Sequence, residues 1–468
     1  MSATTVDVSA IIDNRKPGRL QRVVLLLCMA VLFMDGYDTQ VIGYVAPALV
    51  GALHLERAAL APVFAAGLVG LLVGGLVFGP LADRYGRRRL IMVCTGVFGL
   101  FSLATAWAWS LNSLIVLRFL TGLGLGGAMP NSVALAVEYY PRARRASAAA
   151  VAFVGFSIGA AAAGFITAFM LRHFGWQSVF IIGGAMPLAL LPVLAWQLPE
   201  SPRLLVLRGA PAAQIRQILA RLDSGTSFPM EAQFIASEES APGATIRHLF
   251  AQGRAVGTCL LWLVYFLSLM VTFLLASWLP IAFNQSGLSV GDAVLATTMY
   301  QVGAIVGTVV VGHIMDRFDR FLVLAAAFLL SSVVVFSLSN ISGATPFWEV
   351  IGLMLLNGIA LAAGGIQGTN ALASSYYPTF IRSTGVGWGL SVGRAGSIVG
   401  SLLGGILISA AGSSLQAIFL VVTASALVSA GAVLLMRAAT SGRRDEGVGV
   451  APSAILARKE KRRGPELA

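Results

Sequence analysis

Two aspartates and one arginine stand in apolar sequence where ionised side chains are costly. Asp35 and Asp38 fall in the run from about residue 23 to 47, and Arg394 falls in the run from about 383 to 409. At mid-bilayer such a group costs roughly 2.5–3.5 kcal/mol on insertion scales, so it is kept only with compensation. Three residues apart on a helix, the aspartates share one face. Carboxylates that close compete to ionise, and one of them can hold a proton near neutral pH. A group protonated from one side of a membrane and released on the other is what proton coupling requires; the plainer alternative is helix packing through hydrogen bonds. Arg394 stays charged at any relevant pH, and its planar fork fits a carboxylate bidentately. Facing a wet cavity it would anchor an anion. The alternative is an internal ion pair with Asp35 or Asp38, and a substrate displacing the aspartate would reconcile the two.

The elements that position these groups follow from composition. The 468 residues are 57% hydrophobic and 11% charged, against about 25% charged in soluble domains. Twelve apolar runs are long enough to span a bilayer, each needing about 20 residues: 23–47, 60–81, 90–110, 113–137, 147–170, 176–198, 255–280, 292–315, 321–339, 347–374, 383–409 and 414–436. Long continuous runs favour helices over a barrel, so the expected class is an all-α integral membrane protein. Of 32 Lys and Arg, Arg57 and Arg172 fall on one side, Arg118 and Arg394 fall within spans, and the other 28 share the remaining side with both termini. The positive-inside rule puts that side, and both termini, in the cytoplasm of a multi-pass inner-membrane protein. No signal for removal precedes the first run. Cys28, Cys94 and Cys259 lie in or beside apolar runs without pairing or metal spacing, and read as apolar fillers.

An internal repeat divides the chain. Gly79, Asp83, Arg84 and Arg87 after the second span recur as Gly312, Asp316, Arg317 and Arg320 after the eighth, with Gly86 replaced by Asp319. Ala134-Leu-Ala-Val-Glu138-Tyr-Tyr-Pro141 recurs as Ala371-Leu-Ala-Ser-Ser375-Tyr-Tyr-Pro378. Two anchors in the same order imply two pseudo-symmetric six-helix halves, 1–198 and 255–436, joined by a cytoplasmic loop 199–254 and followed by a basic tail 437–468. Parallel repeats of this kind are a transporter architecture. The tail reads as solvated or touching lipid headgroups, and nucleic acid is not an expected partner.

Gly79–Arg89 resembles the loop signature of the major facilitator superfamily, and Arg118-Phe-Leu-Thr-Gly122-Leu-Gly124-Leu-Gly126 resembles its fourth-helix motif. Asp35-Gly-Tyr-Asp38-Thr39, with Gly385-Val-Gly387-Trp388-Gly389 and Gly393-Arg394-Ala-Gly396, is similar to the first and eleventh helices of the aromatic acid:proton symporters within that superfamily. The resemblance implies the major facilitator fold and proton-coupled import of a small aromatic carboxylate such as a hydroxybenzoate. It also favours a structural or relay role for Arg118. One proton per carboxylate moves no net charge, whereas two would make transport electrogenic. Partners expected are the aromatic acid, protons and lipid. A monomer is the default, and no metal or cofactor is expected beyond the proton as coupling ion.

Ring contacts are sought among Tyr37, Tyr265, Phe266, Trp278, Tyr300 and Trp388. Tyr265 and Trp388 lie deeper than Trp278, for which an interfacial belt is the plainer reading. Gln301 and Asn357 are isolated amides; interhelical hydrogen bonding is their default, and ligand contact by Gln301 is a second reading. Asp83, Arg84, Arg87, Glu138, Arg142, Asp316 and Arg317 are expected to gate the cytoplasmic side, Glu138 beside Arg142 and Arg145, with Asp319 making the second copy the weaker latch. Rival functions remain. A sugar carrier is suggested by Pro199-Glu-Ser-Pro-Arg203, but no matching sequence follows the last span. An exporter or a cation carrier is opposed, in the latter case, by Arg394. A non-transporting sensor would need a folded signalling domain, for which 199–254 and 437–468 look too short. No nucleotide-binding motif and no nucleophile–base cluster points to ATP drive or an enzyme.

Overall fold

The computed structural model describes residues 5–222, 232–236, 246–251, 253–341, 345–378, 381–410 and 415–447. Among the described residues, twelve helical segments are long and apolar enough to cross a bilayer. They are α1 (Arg19–Ala52), α2 (Ala61–Tyr85), α3 (Arg87–Thr105), α4 (Leu111–Glu138), α5 (Arg145–His173), α6 (Trp176–Gln197), α7 (Ala255–Gln285), α8 (Val290–Arg317), α9 (Arg320–Leu338), α10 (Phe347–Tyr376), α11 (Arg382–Ala410) and α12 (Leu415–Gly447). Each covers one apolar run, because in lipid only a helix satisfies every backbone group within a single span. Side chains fix several starts: the hydroxyls of Ser110 and Ser289 accept from Ser113 and Asp292 N–H at the heads of α4 and α8. Beyond shifts of a few residues at the helix ends, two features differ from the sequence reading. α10 is interrupted at Gly365, and α12 runs on past the apolar stretch to Gly447.

Helix pairing repeats six helices on. α1 packs on α5, α2 on α4 and α3 on α6; likewise α7 packs on α11, α8 on α10 and α9 on α12. The halves meet along α1–α7, α2–α11 and α5–α8. At the end away from the arginine-rich loops, one apolar cluster spans both halves, joining Leu49, Leu60 and Phe64 to Leu274, Trp278 and Ile408. There Gly43 is necessary, because a side chain would strike the Ala276 carbonyl, and Arg172 of α5 reaches Asp292 of α8 at 3.8 Å. Toward the arginine-rich end the core separates. Cys28, Ile91, Phe98 and Tyr139 cluster in the first half, and Leu261, Tyr265, Phe328 and Tyr377 in the second. The seam is therefore shut at one end and parts toward the basic loops.

The 199–254 segment is not a bare connection. Thr5–Asp7 and Gln233–Ile235 pair as two parallel strands, the one sheet among the described residues. Helices Val8–Asp13, Pro202–Leu207 and Ala212–Leu222 pack beside them around Val8, Ile12, Leu205, Ile215 and Leu219. Asp13 ties this unit to the first half, accepting the Arg142 N–H at 2.9 Å and lying 3.7 Å from Arg203.

Candidate functional site

α1 carries Asp35 and Asp38 to mid-depth, where both are buried, and the two meet different neighbours. Asp38 faces α3 and α4. The Ser102 hydroxyl donates to its Oδ1, and Arg118 Nη1 donates to its Oδ2 at 3.1 Å. Arg118 is only 3% exposed. Its Nη2 also donates to the hydroxyls of Thr105 and Thr121, each at 3.3 Å, and its guanidinium lies 5.2 Å from the Phe180 ring centre. Both oxygens of Asp38 are thus engaged, inside one half. The hydroxyls around this pair went unforeseen; their signal was Ser and Thr within apolar helices.

Asp35 lies one turn nearer the basic end. Its Oδ1 accepts from Thr39 at 3.2 Å, and its Oδ2 is buried without a hydrogen-bond partner among the described residues. Arg394 lies across the seam from Asp35 on α11, and no hydrogen bond or ion pair joins them among the described residues. The Arg394 guanidinium reaches over α2, where a methyl added at Gly75 would stand 3.2 Å from its Nη1. One turn from Gly75, Leu71 begins a small, partly enclosed crevice. Thr39, Ile42, Phe64, Leu71 and Arg118 line it from the first half, and Phe273 and Ser277 from the second. Its walls are apolar apart from a few hydroxyls and the Asp38–Arg118 pair, which suits a small ring, and Arg394 at Gly75 lies one turn beyond Leu71 where an acid on that ring could reach it.

The aromatic candidates go elsewhere. Tyr37 is fully buried in the first half and donates to the Val179 carbonyl at 3.1 Å. Tyr265 is fully buried in the second half, donating to Asn370 Oδ1 at 2.6 Å with its ring over Gly389 and Gly393. Trp388 stacks on Trp262 with centroids 6.2 Å apart. By helical spacing it shares a face with Val399, Leu402 and Ile406, all exposed, and not with Arg394. These three therefore do not line the crevice, whose aromatic walls are Phe64 and Phe273. Gln301 comes three residues after Thr298, whose hydroxyl abuts Gly164 of α5; it lies on the seam face of α8, one turn toward the basic end. Asn357 accepts from the Ser331 hydroxyl at 2.9 Å, between helices. Trp278 is no interfacial residue: it is fully buried at the closed seam, donates to the Ser401 carbonyl at 2.8 Å, and meets Phe64 edge-on.

At the basic end, Arg87 bridges two of the gating candidates, Glu138 at 2.7 Å and Asp83 at 3.4 Å. Glu138 thus pairs with Arg87, where the sequence suggested Arg142 or Arg145. Arg84 lies over the Tyr85 ring, and Arg142 contributes its backbone N–H to Asp13. Gly86 turns the chain into α3 with φ +110°, and the space beside it holds the Glu200 carboxylate, which accepts the Arg88 N–H at 3.2 Å. In the second copy Asp319 caps α9 itself, accepting from Phe321 N–H at 2.9 Å, and meets Arg437 Nε at 2.9 Å. Partial burial pushes the Asp319 carboxyl up, but the Arg437 hydrogen bond and the helix N–H groups outweigh it and hold the group below the usual carboxylate value. Arg317 is exposed; the side chain of Asp316 lies outside the described residues.

Comparison with known proteins places this geometry. The model of the Major Facilitator Superfamily matches residues 28–289 and 261–467. A gallate transporter of Pseudomonas putida is 42% identical over 434 residues, covering 92% of this chain and 94% of the relative. A 4-hydroxybenzoate transporter of Pseudomonas aeruginosa is 37% identical, covering 92% and 95%. Among solved structures, the inward open xylose transporter XylE of E. coli superposes with a TM-score of 0.67 at 19% identity, covering 88% of this chain and 94% of that one. That likeness is one of fold.

Proposed function

The chain belongs to the major facilitator superfamily, a carrier and not an enzyme, and from that membership we propose that it imports small aromatic carboxylates of the hydroxybenzoate type together with protons. The single observation behind this reading is Arg394, a guanidinium that reaches across the seam to Gly75, one turn beyond the crevice residue Leu71, with no ion pair among the described residues. The substrate carboxylate sits on Arg394, and its ring lies toward Leu71 at the near end of the crevice. One helical turn, about 5 Å, separates the Arg394 guanidinium at Gly75 from Leu71. That is a fitting reach for a single ring. Thr39 and Ser277 offer hydroxyls to a ring substituent. The relatives that handle gallate and 4-hydroxybenzoate support the substrate class.

Transport proceeds by alternating access. The halves rock about the site, with the basic loops and both termini in the cytoplasm of the inner membrane, so that the observed closed seam faces outward and the separated cores face inward. Arg87 with Glu138 and Asp83 then steadies the cytoplasmic end of the first half. Asp35 and Asp38 form the proton-coupling region. Uptake of labelled 4-hydroxybenzoate into proteoliposomes, with and without an inward proton gradient, tests the proposal; glucose and an organic cation run in parallel. Accumulation that requires the gradient supports it. Uptake of glucose or the cation alone would reject it.

A further inference from the structure

Resting on that reading, we propose that the two aspartates divide the work: Asp35 alone takes the transported proton and trades places with the substrate carboxylate on Arg394, while Asp38 stays ionised against Arg118 throughout the cycle. A coupling interaction must differ between the two end states of a carrier. Asp38, Ser102 and Arg118 all belong to the first half, so rocking carries them as one body and leaves their 3.1 Å ion pair unchanged. Asp35 and Arg394 lie on opposite sides of the seam, and their attraction changes whenever the halves move.

The local chemistry points the same way. Protonating Asp38 would leave the buried Arg118 without a counterion, and a guanidinium cannot shed its proton to compensate. Asp35 is fully buried, with Oδ2 lacking a hydrogen-bond partner among the described residues. A proton added there forms an O–H bond and removes a charge, and the substrate carboxylate takes over as the counterion of Arg394. The charged groups that act on Asp35 are Asp38 on its own helix and Arg394 on α11. α6 carries no charged residue. α5 meets α1 through Gly155 and Gly159, α7 meets it through Ala276, and the α4 cation Arg118 is engaged by Asp38.

The charges balance. Empty, the seam holds Asp35 as carboxylate and Arg394 as cation. Loaded, it holds Asp35 protonated, Arg394 as cation and the substrate as anion. On release the Asp35 proton passes to water, the substrate leaves Arg394, and the carboxylate again offsets the cation. The net charge is zero in both states, so one proton accompanies each monocarboxylate and transport is electroneutral.

The test is proton uptake on binding 4-hydroxybenzoate to the purified full chain, by calorimetry in buffers of different ionisation enthalpy. The wild type is expected to take up one proton per ligand. Asp35→Asn is expected to bind at least as tightly, since a competitor for Arg394 is gone, and to take up none. The paired variant Asp38→Asn with Arg118→Met, which strands no charge, is expected still to take up one. Proton uptake persisting in Asp35→Asn, or loss of binding in that variant, overturns the division. So does loss of proton uptake in the paired variant while it still binds. A wild type that binds no aromatic acid overturns the carrier reading itself; one that binds without proton uptake overturns only the coupling.

Discussion

Removing one partner of the Asp38–Arg118 pair is expected to destabilise the protein far more than removing both. Both groups are nearly sealed, at 2% and 3% exposure, and meet at 3.1 Å. Stranding one charge of a buried pair costs about 3–5 kcal/mol. In Asp38→Asn the residual hydrogen bonds from Arg118 to Thr105 and Thr121, with Phe180 beneath it, hold that loss to the lower end, about 3 kcal/mol. Arg118→Met should cost less, because Asp38 can neutralise itself by taking a proton whereas Arg118 cannot lose one. The double neutral variant keeps volume and strands nothing, so its cost is expected within about 1 kcal/mol of wild type, giving a coupling of at least about 3 kcal/mol. Denaturant unfolding in mixed micelles, followed by intrinsic fluorescence, measures the cycle. Additive costs, or a double variant worse than Asp38→Asn alone, would refute the view of this pair as a locked unit within one half.

Arg394→Ala is expected to raise the apparent dissociation constant for 4-hydroxybenzoate about 10–100-fold, the worth of a charge-assisted hydrogen bond of about 1.5–3 kcal/mol. Arg394→Lys should keep part of that binding and lose the bidentate geometry; unchanged affinity in the alanine variant would remove Arg394 from the site. Asp319→Ala loses a helix cap of about 1 kcal/mol and an exposed ion pair worth less than that. Because the folded-state value of Asp319 is held low, its contribution is complete above the unfolded carboxylate range and fades as pH falls through the folded value. The melting gap between variant and wild type should therefore be widest at neutral pH and close in acid, and a gap constant into acid would contradict the assignment. Gly86→Ala forces a side chain to φ +110° against the Glu200 carboxylate. A loss of about 1–2 kcal/mol is expected from the backbone alone, read as a lower melting temperature; an unshifted melt would show that the turn relaxes.

The spans and the repeat were legible because both are one-dimensional signals: the length of an apolar run and the recurrence of a spaced motif. What lay hidden was facing. Asp35 and Asp38 share a face by helical spacing, yet the one-turn rule is too coarse to show that Asp38 points into α3 and α4 while Asp35 points to the seam. Tyr37 and Tyr265 could be read for depth but not for partner, and their hydroxyls bind Val179 and Asn370 inside opposite halves. Trp388 was readable after all, since its spacing to Val399, Leu402 and Ile406 marks an outward stripe. Asp13 and the strand Thr5–Asp7 gave no signal, because their partners Arg142, Arg203 and Gln233–Ile235 are far along the chain.

The departure of Asp319 from the first copy's glycine shows what the repeats preserve. Heads of membrane helices at a wet surface leave N–H groups unpaired, and an anion placed there is stabilised both by hydrogen bonds and by the helix dipole. In the first half Gly86 leaves room, and the carboxylate comes from Glu200, just beyond α6. In the second half the carboxylate belongs to Asp319, and the residue just beyond the apolar part of α12 is the cation Arg437. Acid and its position have been exchanged, but each half still ties the head of its third helix to the foot of its sixth. That explains why the Pro-Glu-Ser-Pro-Arg sequence after α6 has no copy after α12. With Asp319 in place a second acid there would repel it, and an arginine satisfies the same junction. Converting the second half to the first half's solution, by Asp319→Gly with Arg437→Glu, should recover part of the stability that Asp319→Gly loses alone.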